Sequence, residues 1–360
     1  MKKKENRAIQ IRWMRIVDYK GIDTLEIEFP RPKMAGNLDV AVMGSRNGLG
    51  KTSVLECCAL LLIGLSLHVH EIDLKYRRYR TVDLPDMIIR AGVSITRLEG
   101  KIIIGDKTID LSIEIDKSGI ARVNRKPKTQ LKDQEDSMDK RELIAHFVST
   151  VSGQNPNPLL SENFLYFHSY RKVQEGNPEL GMMIDEENVR RRIRPPGYDV
   201  PISTFKLQIL RSMMSQAKLF EEWDDDQSQD ILTKLNELVE HYAGGRIEKL
   251  RPSADNTVDF RVQPIDGGHS FTFDGLSSGQ KEIIATLFLI WYQTRNKPGI
   301  VLIDEPELHL NPEWHRDFVR QLERIAPNNQ YIIATHSEDI FASVDKDHRF
   351  LLQGTAGDRS

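Results

Sequence analysis

The segment between Val40 and Leu65 constrains this chain most. Val40 and Val42 form a short strand that runs into the glycine-rich stretch GSRNGLGKTS, Gly44 to Ser53, and then into VLECCALLLIGL, Val54 to Leu65. That last run is apolar on every side, as a helix buried against a sheet must be. A strand that ends in a glycine-rich turn and opens a helix points its backbone N–H groups at one spot, and the helix N-terminus adds favourable potential for phosphate. Gly48 and Gly50 let the backbone approach closely, Lys51 can reach the outer phosphates of a nucleotide, and the Thr52 hydroxyl is placed to bind Mg2+. The expected nucleotide-binding set is Ser45, Asn47, Gly48, Leu49, Gly50, Lys51, Thr52 and Ser53. A strict phosphate-loop pattern has glycine where this chain has Ser45, with Gly44 one residue early; the strand–loop–helix context supports the reading.

About 250 residues further on come two more segments that make sense only with the first. They are LSSGQ, Leu276 to Gln280, and IVLIDEPELHLNP, Ile300 to Pro312. Ile300 to Ile303 form a buried strand that delivers Asp304 and Glu305 to its carboxyl end, where open α/β sheets place their ligands. Asp304 is expected to hold magnesium through water, and Glu305 to orient and polarise an attacking water. The plainer alternative is a buried strand ending in a charged turn.

The rest of the chain reads as α/β at both ends with a β-rich and then helical insertion between. Ile9, Ile11 and Trp13, then Leu25, Ile27 and Phe29, alternate as half-buried strands. Ile109, Leu111, Ile113 and Ile115 do the same, flanked by turns at Gly105-Asp106 and Ser118-Gly119. Lys126 to Arg141 reads as a polar loop or exposed helix, and Phe164 to Phe167 as a short strand. Amphipathic helices follow over Phe205 to Phe220 and over Ile231 to Tyr242, the latter stopping at Gly244-Gly245. Strands at 258–262 and 271–273, a helix from Lys281 to Thr294, a helix from Glu313 to Ile325 and a strand from Tyr331 to Ala334 complete the series. The expected division is 1–125, an N-terminal half with an antiparallel β-subdomain; 126–250, a mainly helical insertion; 251–354, a C-terminal half; and a tail, 355–360.

The chain has 360 residues, 39% hydrophobic and 29% charged, with a net charge of −3, so no global basic field advertises nucleic acid. The charge is clumped. Lys75 to Arg80 and Arg190 to Arg194 are basic and Glu221 to Asp226 is acidic, each read either as a solvated face or as a docking patch. No apolar run approaches the roughly 20 residues that span a bilayer, and MKKKENRAIQIRW lacks the apolar stretch of a signal peptide, so a cytoplasmic location is expected. The adjacent pair Cys57 and Cys58 gives no disulfide framework and no zinc spacing, and reads as small core residues.

GSRNGLGKTS, LSSGQ, DEPELHLNP and ATHS occur in the order found in ABC-type ATPase heads, and the chain resembles the SMC, RecF and OLD-like group of these more than transporter cassettes. The resemblance covers residues 9–65 and 270–340 and implies a P-loop NTPase fold of the ABC-head type, with ATP and Mg2+ as cofactors. It also implies that Ser277, Ser278, Gly279 and Gln280 form a signature that acts in trans, Ser277 and Gly279 contacting the γ-phosphate bound to an opposite subunit, so that two heads close on two ATPs. Glu305, Lys51 and His336 are the implied catalytic set, with His336 of IIATHS as the residue sensing the γ-phosphate, and Thr52 and Asp304 the metal set. Glu307 to Asn311 is similar to the loop that crosses the dimer interface. Such heads usually carry a glutamine at the end of a middle strand. The matching strand here, FLYF, runs into HSYRK, leaving His168, Ser169 or Arg171 as substitutes.

A closing cycle driven by ATP needs something attached to it. The residues between the two halves are too few and too irregular for an SMC coiled coil, and the chain ends soon after His336 where OLD-type proteins continue into a nuclease. The expectation is therefore a homodimer or higher even-numbered oligomer acting on a separate effector, a nuclease or toxin, as in the PtuA-like ATPases of bacterial anti-phage defence. A RecF-like DNA-repair ATPase that binds nucleic acid is the main alternative. A nucleotide-glued scaffold without significant hydrolysis is the third, and no membrane partner is expected.

Overall fold

In the computed structural model the described residues are 9–34, 37–44, 48, 50–67, 70–74, 84–127, 140–173, 175–176, 205–207, 209–210, 226–252 and 258–352. Ser45, Asn47 and Leu49, the basic runs at 75–80 and 190–194, residues 221–225 of the acidic run, most of the stretches 126–141 and 205–220, and the tail lie outside them. Contacts divide the chain into two units, Met1–Arg171 with Gln293–Ser360, and Lys172–Tyr292.

The first unit holds two six-stranded sheets. One is antiparallel, built from β1 (Ile9–Tyr19), β2 (Ile22–Glu28), β4 (Glu71–Asp73), β5 (Ile95–Ile104), β6 (Lys107–Asp116) and β7 (Ile120–Lys126) in the order β2-β1-β5-β6-β7-β4. The other contains β3 (Asp39–Gly44), β8 (Leu159–Leu160), β9 (Phe164–Phe167), β13 (Ile300–Asp304), β14 (Gln330–Thr335) and β15 (Arg349–Leu351) in the order β15-β3-β14-β13-β9-β8. All its pairings are parallel except that of β8. Every residue of β3, β9, β13 and β14 is buried, as expected of parallel strands covered on both faces.

Helix α1 (Lys51–Ser66) packs on β9, β13 and β14 of the parallel sheet and on β1, β5 and β6 of the antiparallel one. This explains why its sequence is apolar all round: neither face meets water. Cys57 and Cys58 are fully buried in it as free thiols. The fit leaves no slack. A Cβ built on Gly100 of β5 would lie 2.8 Å from Leu61 Cδ1. Three short or peripheral helices, α2 (Leu84–Ile88), α3 (Lys140–Val151) and α7 (Glu338–Ala342), and the longer α6 (Pro312–Ile325) complete the unit. Asn311 caps α6, accepting from Glu313 N at 3.1 Å, and Pro312 opens its first turn.

Two buried polar contacts tie the sheets together. Arg12 of β1 grips Asp39 of β3 with two parallel bonds, Nη1 to Oδ1 at 3.0 Å and Nη2 to Oδ2 at 2.6 Å. Gln330 of β14 acts as a one-residue strand partner, accepting from Ile11 N at 2.7 Å and donating to Ile11 O at 2.9 Å.

The second unit contains α4 (Asp226–Ala243), the antiparallel sheet β10 (Gly245–Pro252), β11 (Val258–Pro264) and β12 (Phe271–Thr272), and α5 (Ser278–Thr294) up to Tyr292. Gly244, at φ +62, ends α4 as expected, but Gly245 starts a strand at once. Lys206 is fully buried, its Nζ 2.6 Å from Asp274 Oδ1 and 2.9 Å from Gly176 O. No helix among the described residues is long and apolar enough to cross a membrane.

Candidate nucleotide site

Strand register builds the site. Gly44 of β3 pairs with Thr335 of β14, Ala334 of β14 pairs with Asp304 of β13, and Ile303 of β13 pairs with Phe167 of β9. The carboxyl ends of four parallel strands therefore finish in line, and the residues just beyond them meet at one edge. Among the described residues there, an open cleft of about 580 Å³ is lined by Gly48, Gly50, Lys51 and Thr52 from one segment and by Glu305 and His336 from two others. Gly21, from the turn between β1 and β2, also lines it.

Gly50 caps α1 at φ +89, a left-handed conformation that L side chains rarely adopt, and a Cβ there would meet Ile22 at 2.9 Å. Lys51 follows, with Nζ 3.4 Å from His336 Nδ1. Burial pulls the Lys51 ammonium below its ordinary value, and the carboxylates of Glu305, Asp304 and Glu307 oppose that shift.

Asp304 is fully buried at the end of β13 and accepts from Thr52 Oγ1 at 2.9 Å through Oδ2. Its Oδ1 is buried and has no hydrogen-bond partner. Burial pushes its carboxyl up to about 7; the Thr52 hydroxyl opposes the shift, Glu305 adds to it, and the Arg171 guanidinium again opposes it. A buried carboxylate with one oxygen unused beside a threonine hydroxyl fits magnesium. That ion takes one or two protein oxygens and fills its remaining positions with water and phosphate. It needs no cage, and no cluster of three or more His, Cys, Asp or Glu that could hold a metal exists among the described residues.

Glu305 has φ +46 and donates its N–H to Ala334 O at 2.8 Å. A non-glycine residue held there costs about 1–3 kcal/mol, a strain that tends to persist at functional sites. Glu305 Oε1 lies 3.3 Å from His336 Nε2. The imidazole thus stands between the carboxylate and the lysine. His336 is exposed, yet its backbone is held: its N–H donates to Glu307 Oε1 at 2.6 Å, while Thr335 Oγ1 donates to Glu307 Oε2 at 2.7 Å. The sequence marks Glu307 only as part of a loop similar to one that crosses a dimer interface.

Beyond FLYF, His168 turns its Nε2 to Asn157 O at 3.0 Å, and Ser169 lies in the following turn. Arg171, also buried, donates from Nη1 to Asp304 O at 2.7 Å and to His168 O at 2.9 Å. Of the three residues considered in place of the glutamine, Arg171 is the one bonded to the Asp304 main chain.

In the second unit, Ser277 and Gln280 make a reciprocal capping box at the start of α5. Gln280 N donates to Ser277 Oγ at 3.2 Å and Ser277 N donates to Gln280 Oε1 at 3.0 Å. The helix thus begins earlier than Lys281. Ser277 and Ser278 are exposed and Gly279 is buried. A capping serine accepts through its oxygen and keeps its hydroxyl proton for another acceptor. The Gln280 side chain is also committed to Tyr242 O at 3.0 Å.

Comparison with known proteins shows what the chain is similar to. The family described as "AAA domain, putative AbiEii toxin, Type IV TA system" matches residues 167–342, from the end of β9 through α7. The chain is 22% identical to "Retron Ec83 probable ATPase" of Escherichia coli over 98% of this chain and 73% of that protein. It is 33% identical to "Retron Vc95 probable ATPase" of Vibrio cholerae serotype O1 biovar El Tor over 29% of this chain, and the match spans only 24% of that relative's length. It is 37% identical to "Septu protein PtuA" of Bacillus mycoides (strain KBAB4) over 18% of this chain and 10% of that protein. A solved SMC head bound to the C-winged helix domain of ScpA has the same fold, with a TM-score of 0.54 at 14% identity over 93% of this chain and 92% of that one.

Proposed function

We propose that this chain, which carries an AAA-type P-loop ATPase domain in the fold of an SMC head, binds ATP with Mg2+, hydrolyses it in a site completed by a second copy of itself, and thereby controls a separate effector in anti-phage defence. The observation that carries the reading is the convergence of Lys51, Thr52, Asp304, Glu305 and His336 from three strand ends. Names of relatives, two retron ATPases and a Septu protein, support the defence role. The effector is read as a nuclease or toxin, as in the systems the sequence resembles.

The reaction is attack of water on the γ-phosphorus, breaking its bond to the bridging oxygen and releasing ADP. Glu305 faces the cleft and would orient and polarise that water. Lys51 would balance charge on the outer phosphate oxygens, and His336, between the two, would sense the γ-phosphate. Thr52 and Asp304 would hold the magnesium, whose chemistry is to neutralise charge on the phosphate oxygens. Ser277, Ser278 and Gly279 of the second copy would complete the site. The exposed position of Ser277 and Ser278 at the start of a capped helix supports that role, because such an end favours an anion.

Phosphate release from ATP by the purified chain is the test. Glu305→Gln should lower it by at least about a hundredfold, the scale of losing a positioned base. A wild-type chain that releases no more phosphate than Glu305→Gln overturns the ATPase reading. Glu305→Gln purified with ATP should also retain the effector; duplex DNA bound in its place would favour the repair alternative.

A further inference from the structure

From the contacts beyond β13 and β14 we infer that Glu307 is a positioning residue for His336, acting through the backbone and setting the rate of hydrolysis rather than nucleotide affinity. The inference rests on the ATPase reading and assigns Glu307 a role within its own subunit. Its carboxylate spans two loops. One oxygen takes the Thr335 hydroxyl at 2.7 Å and the other takes the His336 N–H at 2.6 Å. Both bonds are short, and each oxygen has its own donor.

The far side of the same loop is tied as well. Ser337 N donates to Thr335 Oγ1 at 2.9 Å, and Ser337 Oγ sits 3.1 Å from His315 Nδ1 on α6 while capping α7. The loop carrying His336 is therefore fixed to the turn that follows Glu305. That turn is itself closed by Leu308 N to Glu305 O at 3.1 Å and Leu310 N to Glu307 O at 3.0 Å. With the backbone pinned, the imidazole stands between Glu305 and Lys51. Glu307 itself does not line the cleft.

A double-mutant cycle with Glu307→Gln and His336→Ala tests this by steady-state phosphate release, with ATP–magnesium affinity measured separately by titration calorimetry in a Glu305→Gln background. A glutamine keeps the shape but has one acceptor oxygen for two donors. Glu307→Gln should lower kcat about tenfold or more with KM and affinity within about twofold, and should cost nothing further once His336 is alanine. Thr335→Val, which removes one of the two donors, should move kcat in the same direction; it serves if the Glu307 variant melts early. Additive effects of Glu307→Gln and His336→Ala, or an equal loss in affinity, overturn the positioning role while leaving the ATPase reading intact. A wild-type chain without activity overturns both.

Discussion

At Asp304, burial and ionisation oppose each other. The carboxyl is pushed up to about 7 from an ordinary 3.8, chiefly by loss of water. Between those values the native state holds a proton that the unfolded chain has released, so this group's contribution to stability falls as pH rises and is gone above about 7. His168 works the other way. Burial lowers it to about 4 from 6.5, so its contribution is present above 6.5 and is lost as pH falls toward 4. In the chain without nucleotide the two slopes oppose each other between pH 4 and 6.5. Asp304→Asn removes one of them. The stability of the variant relative to wild type should climb from pH 4 to 7 by up to about 4 kcal/mol and then level off. Denaturant unfolding at a series of pH values measures it; a difference that stays flat with pH would show that the carboxyl is ionised throughout.

At the level of elements, the reading from sequence succeeded at several described segments where the pattern was long or one-sided. Continuous apolar runs gave β13 and β14, strict alternation gave β6, and the all-round apolar run gave α1. The reading missed the twelve-residue helix α3, where only Lys140 and Arg141 fell within a stretch read as a polar loop or exposed helix, and several elements that are short or irregular. β4, β8 and β15 have three, two and three residues, too few for a period to register. In β10 a register shift between Ile247 and Leu250 breaks the alternation. The site divides along the same lines. Asp304 ends a strand, Glu305 and His336 directly follow one, and Lys51 and Thr52 open the helix after the glycine-rich loop, so each could be read off local order. Glu307, Arg171 and Gly21 matter because of where distant segments bring them, and no local pattern carries that. Gln330 is of this second kind: only the fold reveals that it completes β1 from another sheet. Replacing it with leucine strands Ile11 N and Ile11 O in a buried seam. The loss should be about 2 kcal/mol, read as a lower denaturant midpoint at unchanged slope, and a change below about 0.5 kcal/mol would mean water reaches that seam.

At the scale of the whole molecule, the decisive question is whether one chain owns a complete site. In the proposed two-fold assembly the same patch would serve both partners, so each composite site would draw Lys51 and Glu305 from one copy and Ser277 from the other. This makes complementation possible. Lys51→Ala should abolish phosphate release because its own cradle fails, although its Ser277 remains sound. Ser277→Arg should abolish it for the opposite reason, since its cradle is intact but it cannot complete its partner's. When equal amounts are mixed, the mixed pairs contain one fully wild-type site and one doubly defective site. Random pairing then predicts recovery of up to roughly a quarter of wild-type activity per chain, if the two sites act independently. Recovery should grow with total protein concentration, as an associating pair requires. If Ser277 instead served a site within its own chain, each variant would be dead by itself and the mixture would stay dead at every concentration. Activity that survives in Ser277→Arg alone would remove that serine from the chemistry altogether.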